Sequence, residues 1–318
     1  MSSMAASKHQ EVQLVEPQFS KIVEGLRGAE GPVFDNHGQF FMVAPEVEKD
    51  GKYAGQILKV DLETGKTTIL CEPSVDGFGG IPAGCQCDHE GNLWVADMRL
   101  GIIKVTQKGE MTQICTKDSE GRTMQGCNDC AFDYHGNLWV TAPAGEIAPH
   151  PYRRSNEEPF GSIYCVTNQG VVVKIDTGFL FPNGIAVLHD DDGCPKTLIV
   201  AETPTKRLWG FDIVGSGRVD NKRIWGQLSG DFRGPDGIDF DKHNNLLVTY
   251  QRSGSIEVFP PGGGWPVKSI RCPFTCPSNL HFRPGSRDVY VTEHQYDGLW
   301  RFEWECGGKP QMCDLDNA

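Results

Sequence analysis

The sequence predicts an all-β fold, a six-bladed β-propeller with four antiparallel strands per blade, on three observations. Apolar runs are short and Gly or Pro interrupts them every few residues (38 Gly and 20 Pro in 318 residues), so few stretches carry helical i, i+3, i+4 spacing. One unit recurs along the chain: an apolar strand, a polar turn, then an apolar strand ending on Val followed by small or polar residues. The strand-ending valines are Val43, Val95, Val140, Val200, Val248 and Val291, spaced 52, 45, 60, 48 and 43 residues apart. A period of roughly 50 residues holds four short strands, and six such units close one ring.

The units follow in order. EGPVFDNHGQFFMVAPE starts at Glu30, AGCQCDHEGNLWVADM at Ala83 and NDCAFDYHGNLWVTAP at Asn128. NGIAVLHDDDGCPKTLIVAET starts at Asn183, DGIDFDKHNNLLVTYQ at Asp236 and SNLHFRPGSRDVYVTEH at Ser278. The HGQ, EGN, HGN and HNN triplets supply residues that tolerate positive φ at a hairpin tip. WD dipeptides and kelch signatures are missing, which disfavours those propeller families. Residues 1–12 read as a disordered leader and 13–318 as a single domain. The segment VQLVEPQFSKIV is expected to give the last blade its outer strand, closing the ring with residues 278–313 and removing a free sheet edge. Residues 142–159, the longest irregular stretch, read as a lid or rim loop.

Composition narrows the partners. A net charge of −12, with no Lys/Arg stripe, argues against nucleic acid and anionic membranes. The N-terminus has no apolar h-region, Ser2 rather than Gly follows the initiator Met, and no apolar run approaches the roughly 20 residues that span a bilayer. The 12 cysteines are sparse and several, Cys71, Cys165 and Cys272 among them, lie within apolar strand patterns, so reduced core thiols are expected. The Cys127/Cys130 pair reads the same way, on an inner strand, and the HDDDG run as a solvated turn. A monomeric cytoplasmic protein is expected.

The repeat also points to a site. The first strand of each propeller blade lines the central channel, so equivalent positions converge. Counting four residues back from the apolar residue that closes each inner strand gives Glu30, Ala83, Asn128, Asn183, Asp236 and Ser278. Four of the six carry carboxylate or amide oxygens, an all-oxygen set that suits calcium better than magnesium or zinc. Three residues further on lie Val33, Gln86, Ala131, Ala186, Asp239 and His281, deeper in the channel. Asp239 and His281, on adjacent blades, read equally as a second ion site or a buried Asp–His hydrogen bond. Glu46, Met98, Pro143, Thr203, Gln251 and His294 end the second strands and should ring the mouth. There His294 is either a proton-transfer or substrate-orienting group or simply a rim residue.

At these residues the chain resembles a known family. GAEGPVF, GGIPAGCQC, VADMRLG, MQGCNDCAFDY, FPNGIAV, VAETPTK, PSNLHF and VTEH are similar to the diisopropyl-fluorophosphatase family, calcium-dependent phosphotriesterases of the senescence-marker/gluconolactonase propeller superfamily. The similarity runs from about residue 13 to 313. It implies a catalytic calcium on Glu30, Asn128, Asn183 and Asp236, and a structural calcium on Asp239, the Leu280 carbonyl and His281. It further implies that Gln86, Asp129, Met98, Phe181, Arg154, Thr203, Ser278 and His294 lie near the substrate pocket. One departure stands out: Gln251, in TYQRSGS, takes the place of a pocket-wall Trp, which makes that wall smaller and more polar. The implied activity is hydrolysis of organophosphate triesters and phosphorofluoridates, with Asp236 as nucleophile or base and calcium polarising the P=O group. The alternatives are a lactonase or ester hydrolase of the same superfamily, and a non-catalytic calcium-dependent binding propeller.

Overall fold

The computed structural model describes residues 12–145, 147 and 159–315. The leader up to residue 11 and Arg154 lie outside them. Each repeat unit forms the inner two strands of one blade, whose four strands are antiparallel; the fifth blade gains a further strand, and two short two-stranded ribbons lie outside the six blades. The inner strands are Glu30–Phe34, Pro82–Cys87, Cys130–Phe132, Pro182–His189, Gly234–Phe240 and Pro277–Phe282. Each packs against the next and the last against the first, so the six-bladed propeller of the sequence reading is closed.

Local chemistry explains the hairpins. In five blades an Asp opens the tip, and its Oδ1 accepts the N–H groups two and four residues on: Asp35, Asp88, Asp133, Asp190 and Asp241. The tip residue then sits at positive φ, Gly38 at 75° in the first blade and Asn244 at 64° in the fifth. Asp88 and Asp133 also accept the indole N–H of Trp94 and Trp139, which ties the GNLW strands to their turns.

Apolar side chains fill the six wedges between neighbouring blades, one cluster per interface. Between the first two blades, for example, Val33, Phe41, Val43 and Ile57 meet Cys85, Leu93, Val95 and Ile103. All 12 cysteines are free thiols, and Cys127 and Cys130 sit fully inside the cluster between the second and third blades.

The closing segment differs from expectation by dividing in two. Ser20–Val23 does pair antiparallel with Gly298–Glu303 as the outer strand of the sixth blade. Gln13–Val15 instead adds a parallel fifth strand to Lys268–Arg271 of the fifth blade. Pro17 lies between the two; it has no N–H and a fixed φ, so pairing stops there and the chain steps across. No helix among the described residues is long and apolar enough to cross a membrane.

Near the axis the inner strands come closer than side chains would allow. A Cβ on Gly31 would lie 2.6 Å from the Ala83 carbonyl, and one on Gly237 would lie 2.6 Å from Asn279 Cα. Gly84 and Gly184 face Asp129 and the Asp236 carbonyl in the same way. The chain then returns beneath the channel. Lys309 Nζ donates to the His189 carbonyl, Tyr134 donates its hydroxyl proton to the Pro310 carbonyl, and Gln311 reaches Asp239.

Two consequences can be measured. Gly237→Ala should cost about 1–3 kcal/mol in chemical denaturation, from overpacking. Gly262→Ala, whose added Cβ meets nothing within 4 Å, serves as the neutral control. The second concerns His189, whose buried ring stacks on Tyr134 at 3.5 Å and accepts the Tyr134 N–H. Burial pushes this imidazole down to about 3, Lys309 and His135 adding to the effect and Asp190 opposing it. Below its ordinary value of 6.5 the unfolded chain takes up a proton that the folded chain refuses, so the stability from this group is lost as pH falls from there towards 3. His189→Gln should therefore flatten the acid limb of the urea-denaturation stability curve, by up to about 1.4 kcal/mol per pH unit.

Candidate active site at the channel mouth

Five of the six inner strands are irregular where they reach one end of the channel. Their register against the second strand slips at Glu30/Val33, Pro82/Gly84, Pro182/Ile185, Pro235/Ile238 and Pro277/Leu280. A slip of this kind re-aims side chains that a regular strand would alternate between faces. Glu30, Asn183 and Asp236 are thereby turned into one cavity of about 120 Å³, which Asn128, two residues before its inner strand begins, also lines. Among the described residues no three His, Cys, Asp or Glu side chains cluster as a metal site; the four side chains picked out by the repeat bring two carboxylates and two amides to this cavity.

Their partners orient these groups. The Asn183 amide nitrogen donates to Thr203 Oγ1 at 3.1 Å, and that hydroxyl donates to the Pro235 carbonyl at 2.8 Å. Asn183 thus has its nitrogen engaged and keeps Oδ1 for the cavity. Asp236, 6% exposed, accepts a 2.7 Å hydrogen bond at Oδ2 from the Gln251 amide. Glu30 Oε1 lies 3.3 Å from His294 Nε2, and His294 Nδ1 lies 3.3 Å from the same Gln251 nitrogen.

The electrostatics are those of crowded acids. Burial, then the Glu30 carboxylate, pushes Asp236 up to about 7, although His294, Gln251 and Arg233 act in the opposite direction. Burial works against charge on His294, yet Glu30, with Asp236 and Glu46 behind it, pushes the imidazole up to about 9. Asp129 is driven well above the carboxylate range by burial, with Glu30 and Asp236 adding to it. A hard divalent cation among these oxygens would relieve that repulsion, and the donor set fits one.

The other sequence-derived residues divide. Met98 and Phe181 give the cavity apolar wall, and Thr203, Gln251, His294 and Glu46 lie on it as well. Ser278 does not line it: fully buried, its hydroxyl bonds the Ala29 carbonyl and Thr292. Gln86 and Asp129 line a second cavity, deeper in the channel, with Asp239, Leu280 and His281. There Asp239 Oδ2 and His281 Nδ1 stand 3.6 Å apart, beyond hydrogen-bond range, and His281 Nε2 is buried without a partner. Burial pushes Asp239 up to about 7 and His281 down to about 4. Arg233 was missed by the strand counting because it lies in the loop before the fifth inner strand, yet it reaches the mouth. Its only trace in the sequence is its place three residues before Asp236.

Comparison with known proteins agrees with this architecture. The chain is 58% identical over 306 residues to the diisopropyl-fluorophosphatase of Loligo vulgaris, covering 96% of this chain and 98% of that one. It is 27% identical to the lactonase drp35 of Staphylococcus epidermidis, over 86% of this chain and 78% of that one. Among solved structures it superposes on a calcium-binding protein, regucalcin, of Agrobacterium tumefaciens with a TM-score of 0.73 at 16% identity, covering 95% and 98% of the two chains. The profile of the SMP-30/Gluconolactonase/LRE-like region matches residues 28–295. With a family match across most of its length and a relative this similar over nearly all of it, the chain belongs to the SMP-30/gluconolactonase/LRE-like family.

Proposed function

We propose that this protein is a calcium-dependent hydrolase of phosphorofluoridates and organophosphate triesters. The observation that carries the reading is the convergence of Glu30, Asn128, Asn183 and Asp236 on one cavity, in a chain 58% identical to a diisopropyl-fluorophosphatase. Those four side chains would hold the catalytic ion. Bound there, calcium would act as a Lewis acid and template, polarising the P=O group.

The chain's own residues supply the rest. Asp236 is buried, adjoins the cavity and has one oxygen held by Gln251, so its other oxygen is oriented for attack at phosphorus. The new bond joins Asp236 to phosphorus, the P–F bond breaks and fluoride leaves. Water then cleaves the acyl phosphate and restores the carboxylate. The competing role, a carboxylate base that activates water, demands a basic group, which a carboxylate beside a cation is not. Met98 and Phe181 would receive the alkoxy groups, while His294 orients substrate or shuttles protons at the rim.

A second, structural calcium is proposed for the deeper cavity, on Asp239, the Leu280 carbonyl and His281. The 3.6 Å separation of carboxylate and imidazole suits two ligands of one ion better than a direct bond. The 12 free thiols support a reducing, cytoplasmic compartment. The relatives that are lactonases support a second reading, in which the same mouth opens a lactone ring.

Fluoride release from diisopropyl fluorophosphate, with and without a calcium chelator, tests the main reading. Release should depend on calcium and be lost in Asp236→Asn, which should fold normally. Turnover of lactones alone by folded, calcium-loaded protein would favour the second reading, and turnover of neither would favour a binding propeller. Separately, Asp239→Asn should lower the melting temperature and blunt its response to chelator, because an ion bound only by the folded state stabilises it. A melting temperature that neither change moves would remove the structural ion.

A further inference from the structure

Gln251 stands where the family resemblance places a Trp, and the structure gives it a task that an indole could not perform in the same way. It ends the second strand of the fifth blade, Leu246–Gln251, directly across from Gly234 at the start of the strand that carries Asp236. The Arg233 N–H donates to its carbonyl at 3.2 Å, so its backbone is tied to the loop entering that strand. The slip in register between Pro235 and Ile238 swings Asp236 round to face it. The side chain is 4% exposed, so its amide must be satisfied by protein groups rather than by bulk water.

Its hydrogen bonds identify its orientation. One atom of the amide lies 2.7 Å from Asp236 Oδ2, and only the nitrogen can donate to an ionised carboxylate. The same nitrogen lies 3.3 Å from His294 Nδ1. His294 Nε2 in turn faces Glu30 Oε1 at 3.3 Å. A continuous chain then runs Glu30–His294–Gln251–Asp236, linking the first, sixth and fifth blades across the mouth. With the donors committed inward, the amide nitrogen is not free to hydrogen-bond substrate.

We propose that Gln251 is a positioning residue: its amide clamps one oxygen of Asp236, so that the other Asp236 oxygen is presented to the substrate. This rests on the reading of Asp236 as the attacking group. The clamp differs from simple wall packing, because packing depends on volume and the clamp depends on the amide N–H donor.

Gln251→Met keeps the volume and removes both donors; Gln251→Glu keeps the shape and sets a carboxylate against Asp236. In the calcium-loaded protein, with diisopropyl fluorophosphate as substrate, kcat should fall about 10–100-fold in both, as expected when a reacting group loses its alignment. KM and calcium affinity, the latter from competition with a chromophoric chelator, should stay within about threefold, since losing an alignment that matters only in the transition state lowers kcat and kcat/KM together. Nitrogen-15 NMR of the His294 ring, assigned with His294→Gln, should show ring resonances that shift in Gln251→Met, because the amide nitrogen beside Nδ1 is gone. Should Gln251→Met fail to fold, Gln251→Asn, one methylene too short to reach both partners, replaces it with the same expectations. A kcat within about twofold of wild type, a loss confined to KM, or an unchanged His294 spectrum would each overturn the proposal. If the wild type releases no fluoride, the hydrolase reading fails, but the His294 ring spectrum and its response to the variants still decide whether the clamp exists.

Discussion

At four of the six blade contacts the inner strands pass so close near the axis that one of them must be glycine, and the rest of the molecule depends on this contact. Gly31, Gly84, Gly184 and Gly237 each face the next blade at a distance that a Cβ would violate. At two of these contacts the neighbour is a polar side chain, Asp129 against Gly84 and Asn279 against Gly237. The residues just before three of the glycines, Glu30, Asn183 and Asp236, are therefore drawn together at the mouth. The apolar wedges between blades hold the strands in this position, and pairing of Ser20–Val23 with the last blade prevents the ring from opening.

Such convergence concentrates acidic groups where water is scarce. Asp236, Asp129 and Asp239 are all raised by burial, and Glu30 adds to the first two. Folding into this arrangement is unfavourable unless the charge is compensated, since a buried carboxylate loses its hydration. Hydrogen bonds compensate part of it: Gln251 to Asp236, the Cys130 N–H to Asp129 and the Phe240 N–H to Asp239. The remainder is the physical case for a cation at each level of the channel. It also explains why the mouth is built from a mixture of carboxylates and amides, because four carboxylates at this spacing would repel one another further.

Several elements were legible in the residues alone. Repetition of an apolar–turn–apolar unit with Val at its end specified the blades, because strand alternation and hairpin tips follow local rules. The position four residues before the end of each inner strand picked out Glu30, Asn128, Asn183 and Asp236, since a ring maps equal sequence positions to equal heights on the axis. The same logic misjudged Ser278, whose hydroxyl turns to Ala29 and Thr292, because a short side chain follows its nearest backbone acceptor. It missed Arg233, which comes from a loop outside the repeat. The N-terminal segment read as one strand but divides at Pro17, since pairing with two different edges cannot be inferred from apolar pattern.

Sequence by itself determined the number of blades, their strand order and the identity of the oxygen-bearing residues at the channel end. These follow from short-range periodicity and from the symmetry of a closed ring. Tertiary structure decided what each residue does there. Register slips turn Glu30, Asn183 and Asp236 into the cavity that Asn128 also lines, and only the packing of the fifth blade on the sixth brings Gln251, already against Asp236, to His294. The physical reason is range: periodicity acts over a few residues, whereas the Gln251–His294 contact spans 43 positions in the chain and exists only once the fifth and sixth blades have packed together.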